Sequence, residues 1–239
     1  MKMRASHHPE SGNILWFILI GIVLIGLLTA LVSRGTSSVD QSGDVEQMRI
    51  VAGQIMQTAK SFESAISNMK MNGISESDIS FQNNATAVDY TNANCTNVSC
   101  RIFESGGAGL AYVRPPPNAL TTTNTEWIFT GANNVGSTDN PVGTTAAGSG
   151  NDLLMLLPNI TQGVCRQINR LMDVNGPSYD PPVDDGISFD EFTGTYDPST
   201  PITILEGTTA GKELDGKSAG CFFDTVTNGY YFYQVILER

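Results

Sequence analysis

Hydrophobic and polar positions divide the chain into four regions. From Ile14 to Val32 there are nineteen consecutive residues without a charge (ILWFILIGIVLIGLLTALV). At 1.5 Å per residue they make about 28 Å of helix, enough to cross a bilayer core. The next stretch, Ser33 to Gly43, is small, polar and holds two glycines, the composition of a flexible joint. With Asp44 as N-cap, apolar residues then recur at Met48, Val51, Ile55, Ala59, Phe62, Ile66 and Met69, in steps of three and four, until Gly73. That spacing predicts an amphipathic helix with one face committed to packing.

Beyond it the pattern shortens. Arg101-Ile102-Phe103, Ala111-Tyr112-Val113 and Trp127-Ile128-Phe129 predict short strands among Gly, Pro and Asn clusters. Gly131 to Gly150 has no periodicity and is expected to be a mobile loop. Leu153 to Leu157 reads as a buried run ended by Pro158. A short helix should follow, with Val164, Cys165, Ile168, Leu171 and Met172 on its apolar face and Arg166, Gln167 and Arg170 on its polar one. Residues 173–217 are acidic, rich in proline and mainly loop. The chain should close on a hairpin, Cys221-Phe222-Phe223 turning at Asn228-Gly229 through a type I′ turn into the β-prone Tyr230 to Leu237. The expected fold is therefore α+β: an N-terminal transmembrane helix, an amphipathic helix, and a loop-rich domain with an antiparallel β-sheet.

Charge orients this layout. Lys2 and Arg4 precede the apolar run, and beyond residue 35 the chain carries 10 basic against 23 acidic residues. The positive-inside bias places the N-terminus in the cytoplasm and the acidic domain outside, in the periplasm. The run is longer than a signal-peptide core, and neither Leu28-Thr29-Ala30 nor Leu31-Val32-Ser33 is a good cleavage site, so the anchor is expected to be retained. The resulting division is a cytoplasmic leader at 1–12, a transmembrane helix at 13–33, a linker at 34–43 and an extracytoplasmic domain at 44–239. A domain this acidic repels phosphate backbones, which disfavours nucleic acid as a partner.

The four cysteines, Cys95, Cys100, Cys165 and Cys221, all follow the anchor, and an even count outside a membrane points to two disulfides. Three pairings are open. The preferred one joins Cys95 to Cys100, closing the small loop CTNVSC, and Cys165 to Cys221, tying the second helix to the C-terminal strands. A zinc site is a poor match, because no CxxC and no histidine lies beyond the anchor; the only histidines are His7 and His8. Their placement also removes His-based catalysis from the domain. No nucleotide fingerprint or nucleophile elbow occurs, so neither enzyme activity nor a cofactor is expected.

Two further patterns carry chemistry. Asp184-Asp185-Gly186 resembles part of an EF-hand, but with Gly186 at the sixth position the ligand places fall on Pro181, Val183 and Phe192. An irregular calcium site built from Asp180, Asp184, Asp185, Asp190 and Glu191 competes with a solvated acidic loop. Asn84, Asn94, Asn97 and Asn159 stand in Asn-x-Ser/Thr triplets, which mark glycosylation sites or reflect an Asn- and Thr-rich chain.

The basic leader ending at Gly12 and the apolar and then amphipathic helical segments resemble type IV pilins and the pseudopilins of type II secretion, and the segment DLLMLLPNITQGVCRQINRLM and the ending GCFFDTVTNGYYFYQVILER are similar to pilin-like proteins of alphaproteobacteria. The resemblance implies processing between Gly12 and Asn13 and assembly through the helix. Those families follow the glycine with Phe-Thr-Leu-Ile-Glu; here the five residues are Asn13, Ile14, Leu15, Trp16 and Phe17. Without the glutamate the chain resembles a minor or tip subunit. The Met48 to Met69 face, comprising Met48, Val51, Ile55, Ala59, Phe62, Ile66 and Met69, has two uses open to it: covering the domain's own sheet, or meeting other pilin-like subunits. The alternative function is a membrane-tethered envelope binding module that does not assemble.

Overall fold

A computed structural model gives the fold, describing residues 13–85, 89–136, 140–144, 150–174, 179–184, 187–196, 202–204 and 212–239. The side chains of 13–15, 28, 30–42, 202–204 and 212 are outside the description. The chain forms two compact units that divide between Glu46 and Gln47.

The first unit contains the start of helix α1 (Asn13–Met71). From Trp16 to Leu27 every Trp, Phe, Ile, Leu and Val side chain is exposed, on all sides of the helix. Thr29 hides its hydroxyl against its own helix, donating to the carbonyls of Ile25 (2.8 Å) and Gly26 (3.0 Å). Among the described residues no helix is long and apolar enough to cross a membrane. The expected span at 13–33 falls partly on side chains outside the description. The joint expected at 34–43 is helical instead, since α1 runs through it. A helix already formed on both sides extends one bond per residue, and a glycine interrupts it at a cost of only about 1 kcal/mol.

In the second unit the last part of α1 lies on a sheet. Val51, Ile55, Ala59, Phe62, Ile66 and Met69 are buried in one cluster, with Met48 half-buried beside them. The predicted face thus covers the domain's own core. An amphipathic stripe buries most apolar area against the sheet formed by its own chain. Gly73, at φ 86°, ends the helix in a Schellman turn: Ile74 N–H donates to Met69 C=O (3.1 Å) and Gly73 N–H to Lys70 C=O (2.9 Å).

The sheet contains β1 (Ile128–Val135), β2 (Asp152–Ile160), β3 (Ile202–Ile204), β4 (Ala219–Asp224) and β5 (Gly229–Leu237) in the order β3-β1-β2-β5-β4. Four strands are antiparallel, and the short β3 runs parallel to β1 at one edge. Helix α2 (Gln162–Leu171) follows β2, capped by Thr161, whose hydroxyl accepts from Val164 N–H (3.4 Å). Val164, Cys165 and Ile168 are buried as expected; Leu171 is exposed, and Gln167 is buried rather than on the polar face.

The run Leu153 to Leu157 is uninterrupted because the sheet is covered on both faces. Leu153, Met155 and Leu157 pack with α1 and α2, while Leu154 and Leu156 meet Phe222, Tyr233, Val174 and Leu214 on the other side. Pro158 and Asn159 (φ 57°) sit in a register shift before Ile160, where a missing N–H is tolerated.

Several expectations are corrected. The hairpin joining β4 and β5 does not turn through a two-residue Asn-Gly loop: Gly229 already pairs with Asp224, and only Asn228 has positive φ (54°). The buried Asp224 organises this longer turn, accepting from Val226 N–H (2.9 Å) and Thr227 O–H (2.7 Å). The loop expected from Gly131 begins inside β1, which continues to Val135. Of the three predicted triplets only Ile128 and Phe129 lie in a strand. The 101–113 region forms no strand and bonds within itself and to its neighbours, with Ile102 N–H on Ser80 C=O (3.0 Å) and Leu110 N–H on Ile102 C=O (3.0 Å).

The outer side of β4, and that of β1 ahead of its pairing with β3, have partners. On β4, the Asn169 side chain donates to Cys221 C=O (2.9 Å) and accepts from Cys221 N–H (2.8 Å), while Pro182 and Asp184 bond the backbone of Phe223. On β1, Phe129 N–H donates to the Tyr90 hydroxyl (3.0 Å), and Phe129 C=O accepts from Phe192 N–H (2.8 Å). Such plugs prevent pairing between edges. Asn169→Ala should cost about 1–3 kcal/mol, because both Cys221 groups lose their partner in a buried setting. It should also give a concentration-dependent dimer in sedimentation, and a variant that stays monomeric at unchanged stability would show that the plug is dispensable.

Candidate interaction surfaces

Both disulfides form as preferred: Cys95 with Cys100 and Cys165 with Cys221, at Cα separations of 5.6 and 5.4 Å. The second bridges α2 to β4 through two fully buried residues. Asn97 shapes the small loop, its side chain accepting from Ser99 N–H (3.0 Å). Asn84, Asn94 and Asn97 are exposed and Asn159 is half-buried.

Among the described residues the acidic candidates are not brought together. Asp180 is bound by the Arg166 guanidinium, and Asp190 accepts from the Ser188 hydroxyl (2.9 Å). Asp184 bonds β4 through its backbone N–H (3.0 Å), Glu191 is exposed, and Asp185 lies outside the described residues. Among the described residues no group of three or more His, Cys, Asp or Glu side chains converges as a metal site would. Gly12 also lies outside the described residues; Asn13 is the first residue of α1.

Among the described residues, several concave surfaces flank the domain. A cavity of about 340 Å³ is lined by Arg114, Pro115, Pro117, Leu120 and Thr121 to Thr125. Its one charged group is already engaged, since Arg114 lies 3.3 Å from Glu126 and donates to Ala85 C=O (2.9 Å). Tyr112 donates to the same Glu126; burial, and then this carboxylate partner, hold its phenol well above the usual range. Two shallower grooves run beside α1, one between Gln54, Gln57, Ser61 and the 113–116 segment, the other between Glu63, Ser67, Lys70 and the end of β5.

The outer ridge of α1 between these grooves carries Ile50, Gln54, Gln57, Ser64 and Asn68, all exposed. In a strongly acidic chain this ridge is nearly free of charge, and Lys60 and Glu63 on its flank pair with each other at 2.6 Å. At the end of α1, Glu76 meets Lys70 (2.9 Å) and Arg239 (2.8 Å). Burial works against ionisation there, but the bonds and charges of Lys70 and Arg239 outweigh it and hold Glu76 below the usual carboxylate range.

The buried polar residues that tie segments to the sheet, Asn133, Asp152 and Asn169, escaped the sequence reading. A signal existed only for Asn169, one helical turn after Cys165 on the apolar side of α2. Compared with protein-family models, curated proteins and solved structures, the chain has no significant match in any of the three.

Proposed function

We propose that the chain is a pilin-like or pseudopilin-like structural subunit, of minor or tip type, held in the cytoplasmic membrane by its first helix with the sheet domain in the periplasm. The observation that carries this reading is the character of α1. Its first described turns are apolar and exposed on every side, which suits lipid or a bundle of like helices, whereas its last six turns pack by one face on an antiparallel sheet. Two disulfides suit an oxidising compartment. The plugged outer sides of β4 and of the first part of β1 speak against strand addition there, and contacts with other subunits would run through α1. Its inner face is already used, which leaves the uncharged outer ridge around Gln54, Gln57 and Ser64 for that role.

The test is the intact mass and N-terminal residue of the protein isolated from its native membrane, measured before and after reduction. A chain beginning at Asn13, with a gain of about four hydrogens on reduction, is the expected result. A chain beginning at Met1 or Lys2 would sink the prepilin reading and leave a plain tether. Free thiols before reduction would overturn the compartment.

A further inference from the structure

Neither anchoring nor assembly gives a role to the run Val113-Arg114-Pro115-Pro116-Pro117. A proline ring fixes φ at about −65°, and a residue that precedes proline is driven out of the helical region. Arg114, Pro115 and Pro116 each precede a proline, so all three are confined to extended backbone. Pro116, at φ −59° and ψ 122°, lies beside the polyproline II values of about −75° and about +145°. Among the described residues no N–H of 112–114 donates to another backbone group, as suits a helix type without internal bonds.

Burial follows the three-residue repeat of that helix. Tyr112 and Pro115 form the inward edge: Pro115 is buried, and Tyr112 is half-buried with its ring 5.4 Å from that of Phe103. Val113 and Pro116 make one outward face, Arg114 and Pro117 the other; Val113 is 56% exposed, and Arg114 and Pro117 are exposed as well. Each outward face borders its own concavity. Val113 and Pro116 line the groove of about 500 Å³ beside Gln54 and Gln57 of α1, Pro115 and Pro117 line the cavity of about 340 Å³, and Arg114 borders both. The run is thus a ridge with a hollow on either side. It is held from below by the Trp127 indole N–H on Val113 C=O (2.8 Å) and at its end by Ala119 N–H on Pro116 C=O (2.9 Å).

We propose that residues 113–117 are a docking ridge, read by another protein through a groove walled with aromatic side chains whose rings enter the two hollows.

The chemistry of the ridge selects this reader. Proline has no N–H to offer, so its recognition rests on flat rings packed against the pyrrolidine, and a segment already fixed in the bound conformation loses little entropy on docking. Arg114 needs no acidic partner, since its guanidinium lies 3.3 Å from Glu126 and donates to Ala85 C=O (2.9 Å). Its side chain is 60% exposed, and a guanidinium face suits an aromatic ring as well. A second copy does not supply the groove: in the sheet domain every Phe, Tyr and Trp is buried or half-buried, and the exposed Trp16 and Phe17 lie in the first unit. Such docking requires neither processing at Gly12 nor polymerisation.

The first probe is an isotope-labelled WW domain, which reads proline through an aromatic-lined groove, titrated with the full chain in detergent micelles. Resonances of its groove should shift, and the Pro116→Ala and Val113→Ala chains should bind about tenfold more weakly. Pro141→Ala, at an exposed proline elsewhere, should bind as the parent does. Val113 is exposed, so its alanine variant decides should Pro116→Ala fail to fold. The second probe is p-benzoylphenylalanine placed at position 113 and irradiated in the native envelope. A crosslink to another protein, on a surface peptide that carries aromatic side chains, is the expected result. A WW groove that does not shift, equal binding by the parent and the folded ridge variants, no crosslink, or a crosslink only to a second copy or to a surface without aromatic side chains overturns the proposal.

Discussion

Phe129→Ala should lower the stability of the sheet domain by about 3–5 kcal/mol, the range for emptying a buried aromatic site. Phe129 is only 1% exposed, and four other rings surround it. Phe81 stacks on it at 4.0 Å and 11°, and Phe62, Tyr90 and Phe103 lie at 5.1, 5.6 and 6.5 Å. These rings come from α1 and from three separate places in the 74–127 segment, which has little regular structure of its own. Phe129 is therefore what attaches that segment and the helix to the sheet. Each aromatic pair adds about 0.5–1.5 kcal/mol beyond area burial, so the loss should lie toward the upper part of the range. A domain of this size is stable by only about 5–15 kcal/mol, so the variant should unfold at much lower urea. Trp127, buried two residues away with its indole N–H on Val113 C=O (2.8 Å), reports the transition by fluorescence. Phe129→Leu, which refills most of the volume, should cost clearly less. An alanine variant that loses under about 1 kcal/mol would mean that the segment is held elsewhere.

The fold was legible wherever apolar spacing alone decides structure. The Val51 to Met69 stripe, the buried face of α2 around Cys165 and Ile168, and the final β5 run all sit where period and propensity place them. The Cys165–Cys221 pairing followed because both partners lie on elements that the pattern had already located, and the Cys95–Cys100 pairing because the two are only five residues apart. What escaped was structure made by polar side chains. The end of β1 (GANNV) reads as loop, yet Asn133 donates to Ser188 C=O (2.9 Å) and accepts from Ser188 N–H (2.8 Å), so an amide side chain binds the next segment as a strand's backbone would. Asn169 does the same for β4, Asp152 for the ends of β1 and β5, and Asp224 for the hairpin turn. Asn and Asp also mark turns and loops, so a sequence in which they do ladder work is indistinguishable, residue by residue, from one in which they face water. The interaction surface was half legible for a related reason. Periodicity locates the committed face of α1, but only the presence of a sheet underneath decides whether that face serves the domain or a neighbour.

The long disulfide stands where these two kinds of structure meet, and its removal gives the second large effect. Cys165 and Cys221 are 56 residues apart in sequence, and in the chain-entropy model closing such a loop stabilises the fold by about 4 kcal/mol. Cys95 and Cys100 are separated by only 5, for which the same relation gives about 2 kcal/mol. Replacing Cys165 and Cys221 together by alanine should therefore shift the urea midpoint well below that of the Cys95/Cys100 double variant. The slope should rise as well, because the freed chain exposes more surface when it unfolds. A further consequence is specific to this molecule. The bridge fixes α2 over β4 one helical turn from Asn169, whose amide occupies the Cys221 edge position. Without the bridge α2 can lift, and the plug leaves with it. Asn169→Ala should accordingly cost less in the bridge-free background than in the parent, since the two changes undo the same contact. Equal costs in both backgrounds would show that α2 stays seated without its disulfide, held by Val164 and Ile168 alone.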